Sequence, residues 1–194
     1  MNNLQQLKII VVGPVGSGKT TISNFLADAS DIPLDYRPTK GVRILEFETQ
    51  NINVKNKFMK ADVELWDCSG DHKFKTCWPA IRNGVNGVIF VHNAKSHDYL
   101  HELDQLYDYF VNQTKLGPTN CVIFCYNNEN LVKTPGKMSS KLARVSQVSC
   151  NVEEGANKLK VDFQSFLGTL MSNLQEHTDQ EEISIIRDNI LFTT

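Results

Sequence analysis

The chain alternates short apolar runs with longer segments in which apolar residues recur at helical spacing. The first run, residues 7–12, is nearly continuous and is closed by Gly13, a pattern typical of a strand buried on both faces of a parallel sheet. A long polar segment, residues 51–60, separates two further runs, which we expect to pair antiparallel across that connection. In all, the pattern predicts six strands: residues 7–12, 42–48, 61–66, 87–92, 121–125 and 143–149.

Three segments predict helices, because their apolar residues fall on one face at a spacing of three or four. The first helix starts at Lys19, and the second starts near the capping candidate Ser96. Strands that alternate with helices predict an α/β fold, with a mostly parallel sheet of six strands, one antiparallel edge strand and helices on both faces. The predicted buried faces consist of Ile22, Phe25 and Leu26, then Leu100, Leu103, Leu106, Tyr107 and Phe110, and finally Leu159, Phe163, Phe166, Leu170 and Leu174.

Length and composition narrow the function classes. With 194 residues, 41% of them hydrophobic and 22% charged, the chain has the composition of one globular domain. Its formal net charge of -2 lacks the basic excess typical of nucleic-acid binding, so we expect no nucleic-acid partner. We also expect no secretory signal and no lipid anchor, because no basic and apolar leader opens the sequence and no cysteine follows Cys150.

The segment after the first strand matches the phosphate-loop pattern G-x-x-x-x-G-K-[ST]. It lies between a predicted strand and a predicted helix, which is the context in which this pattern is specific. Glycines let the backbone wrap a diphosphate, the lysine reaches the outer phosphates and the threonine hydroxyl binds Mg²⁺. The predicted phosphate-binding residues are Gly13, Val15, Gly16, Ser17, Gly18, Lys19 and Thr20.

A second motif, Asp67-Cys68-Ser69-Gly70, follows the predicted strand 61–66. In this DxxG arrangement the carboxylate holds the metal ion and the glycine amide meets the γ-phosphate. Thr39 lies in the loop between the two motifs and is the candidate for a second hydroxyl ligand, so the predicted Mg²⁺ ligands are Thr20, Thr39 and Asp67. Over about residues 7–174 the chain resembles the Ras superfamily of small GTPases.

Two positions depart from the Ras pattern. Val15 replaces the usual third-position glycine of the phosphate loop, and Asp71 replaces the glutamine that orients the attacking water. The side chain of Val15 crowds the space that the glutamine and an arginine finger would use, and the carboxylate of Asp71 repels the γ-phosphate. We therefore expect very weak hydrolysis of GTP. Asp71 and His72 are the remaining catalytic candidates, although an exposed loop histidine is the more common case.

The base-binding elements that the resemblance implies are also altered. The N-K-x-D element is represented by Asn127-Asn128-Glu129-Asn130, and S-A-K by Ser149-Cys150-Asn151. Asn130 offers one acceptor and one NH₂ donor where an aspartate would accept twice from guanine, so we expect narrowed base selectivity. The resemblance implies that Asn127, Asn130, Ser149 and Cys150 contribute to the base site.

A closer resemblance rests on residues 37–48, 65–71 and 77–80, read as RPTKGVRILEFE, LWDCSGD and CWPA. In these segments the chain is similar to the Rab-like small GTPase subunits of intraflagellar transport complex B. That family implies a non-prenylated protein that binds GTP or GDP with Mg²⁺ and docks on coiled-coil subunits of the complex. It also implies a location in the cilium or flagellum, the basal body and the cytoplasm.

Two other functions compete with that of a nucleotide-stabilised adaptor. A cycling GTPase switch would need efficient hydrolysis, and a small nucleotide kinase would need clustered arginines, whereas the five arginines here are scattered. We expect a nucleotide-binding domain over residues 1–175 and a tail over residues 176–194. The tail carries Ile183, Ile186 and Ile190 at helical spacing, and it either docks back on the domain or binds a partner.

Overall fold

The predicted sheet is present in the computed structural model, which describes residues 4–29, 37–93, 99–126, 138–152 and 155–191. Within these ranges the sheet has six strands in the order β2-β3-β1-β4-β5-β6. The edge pair β2 and β3 is antiparallel and all other neighbours are parallel, which confirms the predicted α/β architecture. The strands are β1 (Gln5–Val12), β2 (Val42–Val54), β3 (Lys57–Cys68), β4 (Gly87–Asn93), β5 (Cys121–Tyr126) and β6 (Ser146–Cys150).

The connection between β2 and β3 is much shorter than the sequence predicts. Pairing continues to Val54 and Lys57, so most of the polar segment 51–60 belongs to the two strands and not to a loop. Lys55 and Asn56 form the turn with φ values of 48° and 65°, the left-handed conformation that two-residue hairpin turns require. The prediction of a long connection is therefore wrong: Ile52 and Val54 alternate with exposed polar residues and are buried in the core, as expected for a strand with one covered face.

Four α-helices lie in the described part of the chain: α1 (Lys19–Leu26), α2 (Trp78–Arg82), α3 (Tyr99–Tyr107) and α4 (Ala156–Leu191). A 3₁₀ helix, His72–Cys77, precedes α2, and one π-helical turn, Asp108–Asn112, extends α3. Ser96, the predicted cap of the second helix, lies outside the described residues. The last strand begins at Ser146 and not at residue 143, because residues 140–144 form turns.

Each face of the sheet has its own hydrophobic core. On one face, inward residues of β1 such as Ile9 and Val11 pack with Ile22 of α1 and Leu170 of α4. On the other face, Phe90 of β4 packs with residues of α2 and α3. Helices therefore cover both faces, and the open carboxyl edge of the parallel strands is left for ligands. Over the residues that the structure describes, no helix is long and apolar enough to cross a membrane.

Helix α4 continues through the boundary at residue 175 as far as Leu191, over 36 residues. At 1.5 Å per residue it is about 54 Å long. Its described side chains from Glu176 onward, residues 176–181, 183 and 184, are all exposed. One ion pair joins this part to the hairpin, with Lys55 Nζ 3.1 Å from Glu176 Oε1, so the described part of the tail extends the helix along the solvent-exposed side of the domain.

Candidate functional site

A cavity of about 800 Å³ opens at the carboxyl end of the sheet, where β1 and β3 end. The phosphate loop forms one wall, and the segment after β3 forms another with Ser69, Gly70 and Asp71. Residues 37–39 close a third side. The two sequence motifs, which are far apart along the chain, therefore meet around one site.

The phosphate loop has the conformation that its glycines permit. Gly16 and Gly18 have φ values of 72° and 94°, in the left-handed region that favours glycine. A Cβ on Gly18 would also lie only 2.5 Å from the ring of Tyr126, so this position has no room for a side chain. Gly18 caps helix α1, which begins at Lys19 and directs its free amides into the cavity.

Lys19 is buried, with 7% of its surface exposed, and is held against the loop. Its Nζ donates to the carbonyl oxygens of Gly13 at 2.9 Å and Pro14 at 2.6 Å, and to Ser17 Oγ at 3.4 Å. Burial lowers the pKa of Lys19 to about 8, although the charge of Asp67 opposes that shift. The loop thus holds a cation where the outer phosphates of a nucleotide would lie.

Three hard oxygen donors converge beside the loop. Asp67 Oδ2 accepts from the hydroxyl of Thr20 at 2.8 Å and from that of Thr39 at 3.4 Å, and the two hydroxyl oxygens are 3.0 Å apart. Asp67 is fully buried, and its Oδ1 has no hydrogen-bond partner among the described residues. One carboxylate, two hydroxyls and the phosphates of a nucleotide form the ligand set that Mg²⁺ takes in such sites, so these residues fit the metal.

Burial makes the charged form of Asp67 less favourable. Desolvation raises the pKa of its carboxyl group, and the hydrogen bond from Thr20 and the charge of Arg43 oppose that rise. Arg43 was not among the residues that the motifs predict. It lies directly opposite Asp67 in the antiparallel register of β2 and β3, and this register is the signal that identifies it.

Gly70 packs tightly against the phosphate loop. A Cβ at this position would lie 2.6 Å from the backbone nitrogen of Val15 and 2.8 Å from the carbonyl oxygen of Gly13. Val15 itself is 61% exposed and lines the cavity.

The two catalytic candidates both lie beside other charged side chains. Asp71 caps the 3₁₀ helix by accepting from the Lys73 amide at 3.0 Å, and its carboxylate also pairs with Lys73 Nζ at 2.6 Å. Those hydrogen bonds lower the pKa of Asp71, which makes it a weaker base. His72 is more than half exposed, lies 3.8 Å from Glu102 and is not among the described residues that line the cavity.

The base-binding side is described only in part. Asn127 and Asn130 lie outside the described residues. Ser149 and Cys150 end β6, but neither is among the described residues that line the cavity. Their role at the base stays a prediction. Side chains that the motifs did not indicate, among them Phe25, Asp28, Tyr126 and Val152, also line the cavity.

Comparisons with known proteins agree with this geometry. Residues 8–130 match the family model described as the Ras of Complex, Roc, domain of DAPkinase. The chain is 39% identical over 181 residues to the intraflagellar transport protein 22 homolog of Mus musculus, and the match covers 92% of this chain and 97% of that protein.

Solved structures from T. brucei are also similar. The GTP-bound IFT22/74/81 crystal structure matches with a TM-score of 0.72 and 26% identity, covering 89% of this chain and 99% of that one. The GDP-bound IFT22 crystal structure matches with a TM-score of 0.66 and 25% identity, covering 87% of this chain and 97% of that one. The predicted Rab-like resemblance is confirmed: the chain belongs to the family of intraflagellar transport protein 22 homologues, whose Ras-like fold it has.

Proposed function

We propose that this protein is a GTP-binding, Rab-like subunit of the intraflagellar transport B complex in the cilium or flagellum. It acts mainly as a nucleotide-stabilised adaptor, and its own hydrolysis of GTP is slow or absent. The observation that carries this proposal is that Lys19, Thr20 and Thr39 line one cavity and that the buried Asp67 accepts hydrogen bonds from both threonines beside it. Related structures with bound GTP and bound GDP support guanine nucleotides as the ligand.

Different residues of the site bind the phosphates and the metal ion. Lys19 and the amides at the start of α1 neutralise the phosphates, and Thr20, Thr39 and Asp67 hold Mg²⁺. When it is bound, the metal ion neutralises charge on the outer phosphates. Gly70 packs against the backbone of Val15 and Gly13 in the phosphate loop, which supports the proposal that its amide contacts the third phosphate and distinguishes GTP from GDP.

Slow hydrolysis follows from what surrounds the terminal phosphate. The exposed side chain of Val15 takes up space in the cavity that the usual glycine would leave free, and Asp71 is bound to Lys73 and poorly suited as a base. Bound GTP then works as a part of the structure: it orders the segments around Thr39 and Gly70, and that order makes the surface that a partner binds.

The proposed partners are coiled-coil subunits of the complex, since a related protein crystallised with two further transport proteins as IFT22/74/81. We propose that the protein is located in the basal body and the cytoplasm as well as in the cilium or flagellum. The exposed tail within α4 is a second candidate contact for the partners, beside the segments that bound GTP orders. Deleting residues 179–194 should leave nucleotide affinity unchanged and weaken partner binding; unchanged partner binding would assign recognition to another surface.

Calorimetric titration of Mg²⁺·GTP tests the proposed nucleotide site. Lys19→Ala should abolish binding, because it removes the buried cation of the phosphate loop. Lys115→Ala, at an exposed lysine outside the cavity lining, is the matched control and should bind like the unmodified protein. If folded Lys19→Ala still binds GTP at full affinity, the phosphates do not bind at this loop.

A further inference from the structure

Arg43 brings a second positive charge to the proposed metal site. One of its terminal nitrogens lies 3.4 Å from Asp67 Oδ2, the same oxygen that accepts from Thr20 and Thr39. Lys19 Nζ, by contrast, is hydrogen-bonded to carbonyl oxygens of the phosphate loop and not to Asp67. Within the described ranges, Arg43 is therefore the residue that forms an ion pair with the buried carboxylate.

The contact between Arg43 and Asp67 is incomplete. Only one guanidinium nitrogen approaches Asp67, whereas a strong arginine and carboxylate pair uses two parallel hydrogen bonds. Arg43 Nε and Asp67 Oδ1 are both buried without a hydrogen-bond partner among the described residues. The same terminal nitrogen donates to Asn24 Oδ1 at 2.5 Å, which is the shorter contact. The guanidinium thus has a second anchor on α1 that does not depend on Asp67.

A metal ion held by Thr20, Thr39 and Asp67 would have to enter this cluster of hydrogen bonds. It would meet the charge of Arg43 at the same carboxylate oxygen, and two cations that share one carboxylate oppose each other. Because Arg43 donates to Asn24, its guanidinium keeps one hydrogen bond when the metal ion binds the carboxylate of Asp67. The side chain of Arg43 is 36% exposed while that of Asp67 is fully buried, so Arg43 has the freedom to move and Asp67 does not.

We propose that Arg43 is a resident counter-ion of Asp67 that competes with Mg²⁺: it stabilises the metal-free protein and lowers the affinity for the metal. This inference rests on the proposed nucleotide site and adds a regulatory property to it. Because linked equilibria are reciprocal, the free energy of unfolding falls less on loss of Mg²⁺ when Arg43 is present. The protein then tolerates a metal-free state in which nucleotide leaves and enters.

The test compares Arg43→Gln, which removes the charge but keeps a polar side chain, with Arg43→Lys, which keeps the charge. Arg144→Gln, at an exposed arginine outside the cavity lining, is the matched control. The release rate of fluorescent GDP is measured over a range of Mg²⁺ concentrations. Melting temperature is measured without nucleotide or metal, and again with saturating Mg²⁺·GDP.

Arg43→Gln should lower the Mg²⁺ concentration that half-suppresses GDP release by about fivefold or more. It should also lower the melting temperature of the empty protein more than that of the Mg²⁺·GDP form, while Arg43→Lys stays near the unmodified protein in both measurements. An equal loss of melting temperature in both states, with an unchanged Mg²⁺ requirement, would show a merely structural ion pair and overturn the inference. Failure of the unmodified protein to bind GDP would overturn the proposed function, and the inference with it.

Discussion

Replacing Gly70 with alanine should push the segment after β3 away from the phosphate loop, by a distance that follows from the structure. An added Cβ would lie 2.6 Å from the nitrogen of Val15, 2.7 Å from the carbonyl carbon of Pro14 and 2.8 Å from the carbonyl oxygen of Gly13. All three are backbone atoms, which cannot rotate away as the end of a side chain can. The φ angle of Gly70 is not in the left-handed region, so the perturbation is steric and not conformational.

The size of the effect follows from these distances. Ordinary contacts need about 3.5 Å, so the loop after β3 must move from the phosphate loop by roughly 0.8 Å. Overpacking of this kind costs about 1 to 3 kcal/mol of the free energy of unfolding. The displaced amide at position 70 would also lose its proposed hydrogen bond to the third phosphate. A hydrogen bond to a charged group is worth about 1.5 to 3 kcal/mol, so GTP affinity should fall roughly 10- to 150-fold while GDP affinity changes little.

Urea unfolding of the nucleotide-free protein and calorimetric titration with each nucleotide measure the two effects. Gly117→Ala is the matched control, because φ there is -125° and an added Cβ would meet only Asn120 Oδ1, at 4.0 Å. That control should be neutral or stabilised by up to about 1 kcal/mol. An unchanged ratio of GTP to GDP affinity in folded Gly70→Ala would refute the assignment of this loop to the third phosphate.

Three further predictions concern chemistry in the same cavity. Phosphate release in a single turnover should be no faster than about 10⁻⁴ per second, because Val15 and Asp71 do not admit and position water; a rate tenfold higher without a partner would contradict this. Asn130→Asp should tighten GTP and GDP binding by about 5- to 150-fold in a fluorescence titration, since it restores a second acceptor for guanine, and unchanged affinity would remove Asn130 from the base site. Burial lowers the pKa of Lys19 to about 8 and bound phosphates favour its protonated form, so GTP affinity should fall about tenfold per pH unit above 8, whereas constant affinity from pH 7 to 9.5 would show that Lys19 stays charged.

Local chemistry made the phosphate and metal side of the cavity predictable. A phosphate loop needs glycines at fixed offsets, and its lysine and threonine follow at once, so Lys19 and Thr20 were identified from spacing alone. Asp67 was identified because it opens a DxxG motif that directly follows a predicted strand, with Thr39 between this motif and the phosphate loop. The continuous apolar runs likewise predicted the buried strands, because strands that are covered on both faces leave no room for polar side chains.

The features that the sequence did not predict depend on contacts between distant segments. The ends of β2 and β3 carry many polar residues, and only Ile52 and Val54 there are buried in the core beside α4, so no continuous apolar run marked them as strands. Arg43 acquires its role only from the register that sets it opposite Asp67. Tyr126 enters the cavity wall because its ring packs over Gly18, which no local pattern indicates. The helical tail is polar enough to resemble a separate segment, yet α4 runs through it.

The equilibrium affinity for the coiled-coil partner subunits, compared between GTP-loaded protein and protein freed of nucleotide, tests the central claim most directly. The proposed adaptor binds its partners through surfaces that bound GTP orders, so the GTP-loaded form should bind at least about tenfold more tightly. Lys19→Ala should bind the partners as weakly as the nucleotide-free protein. Equal partner affinity in all three samples would contradict the claim that nucleotide stabilises the adaptor.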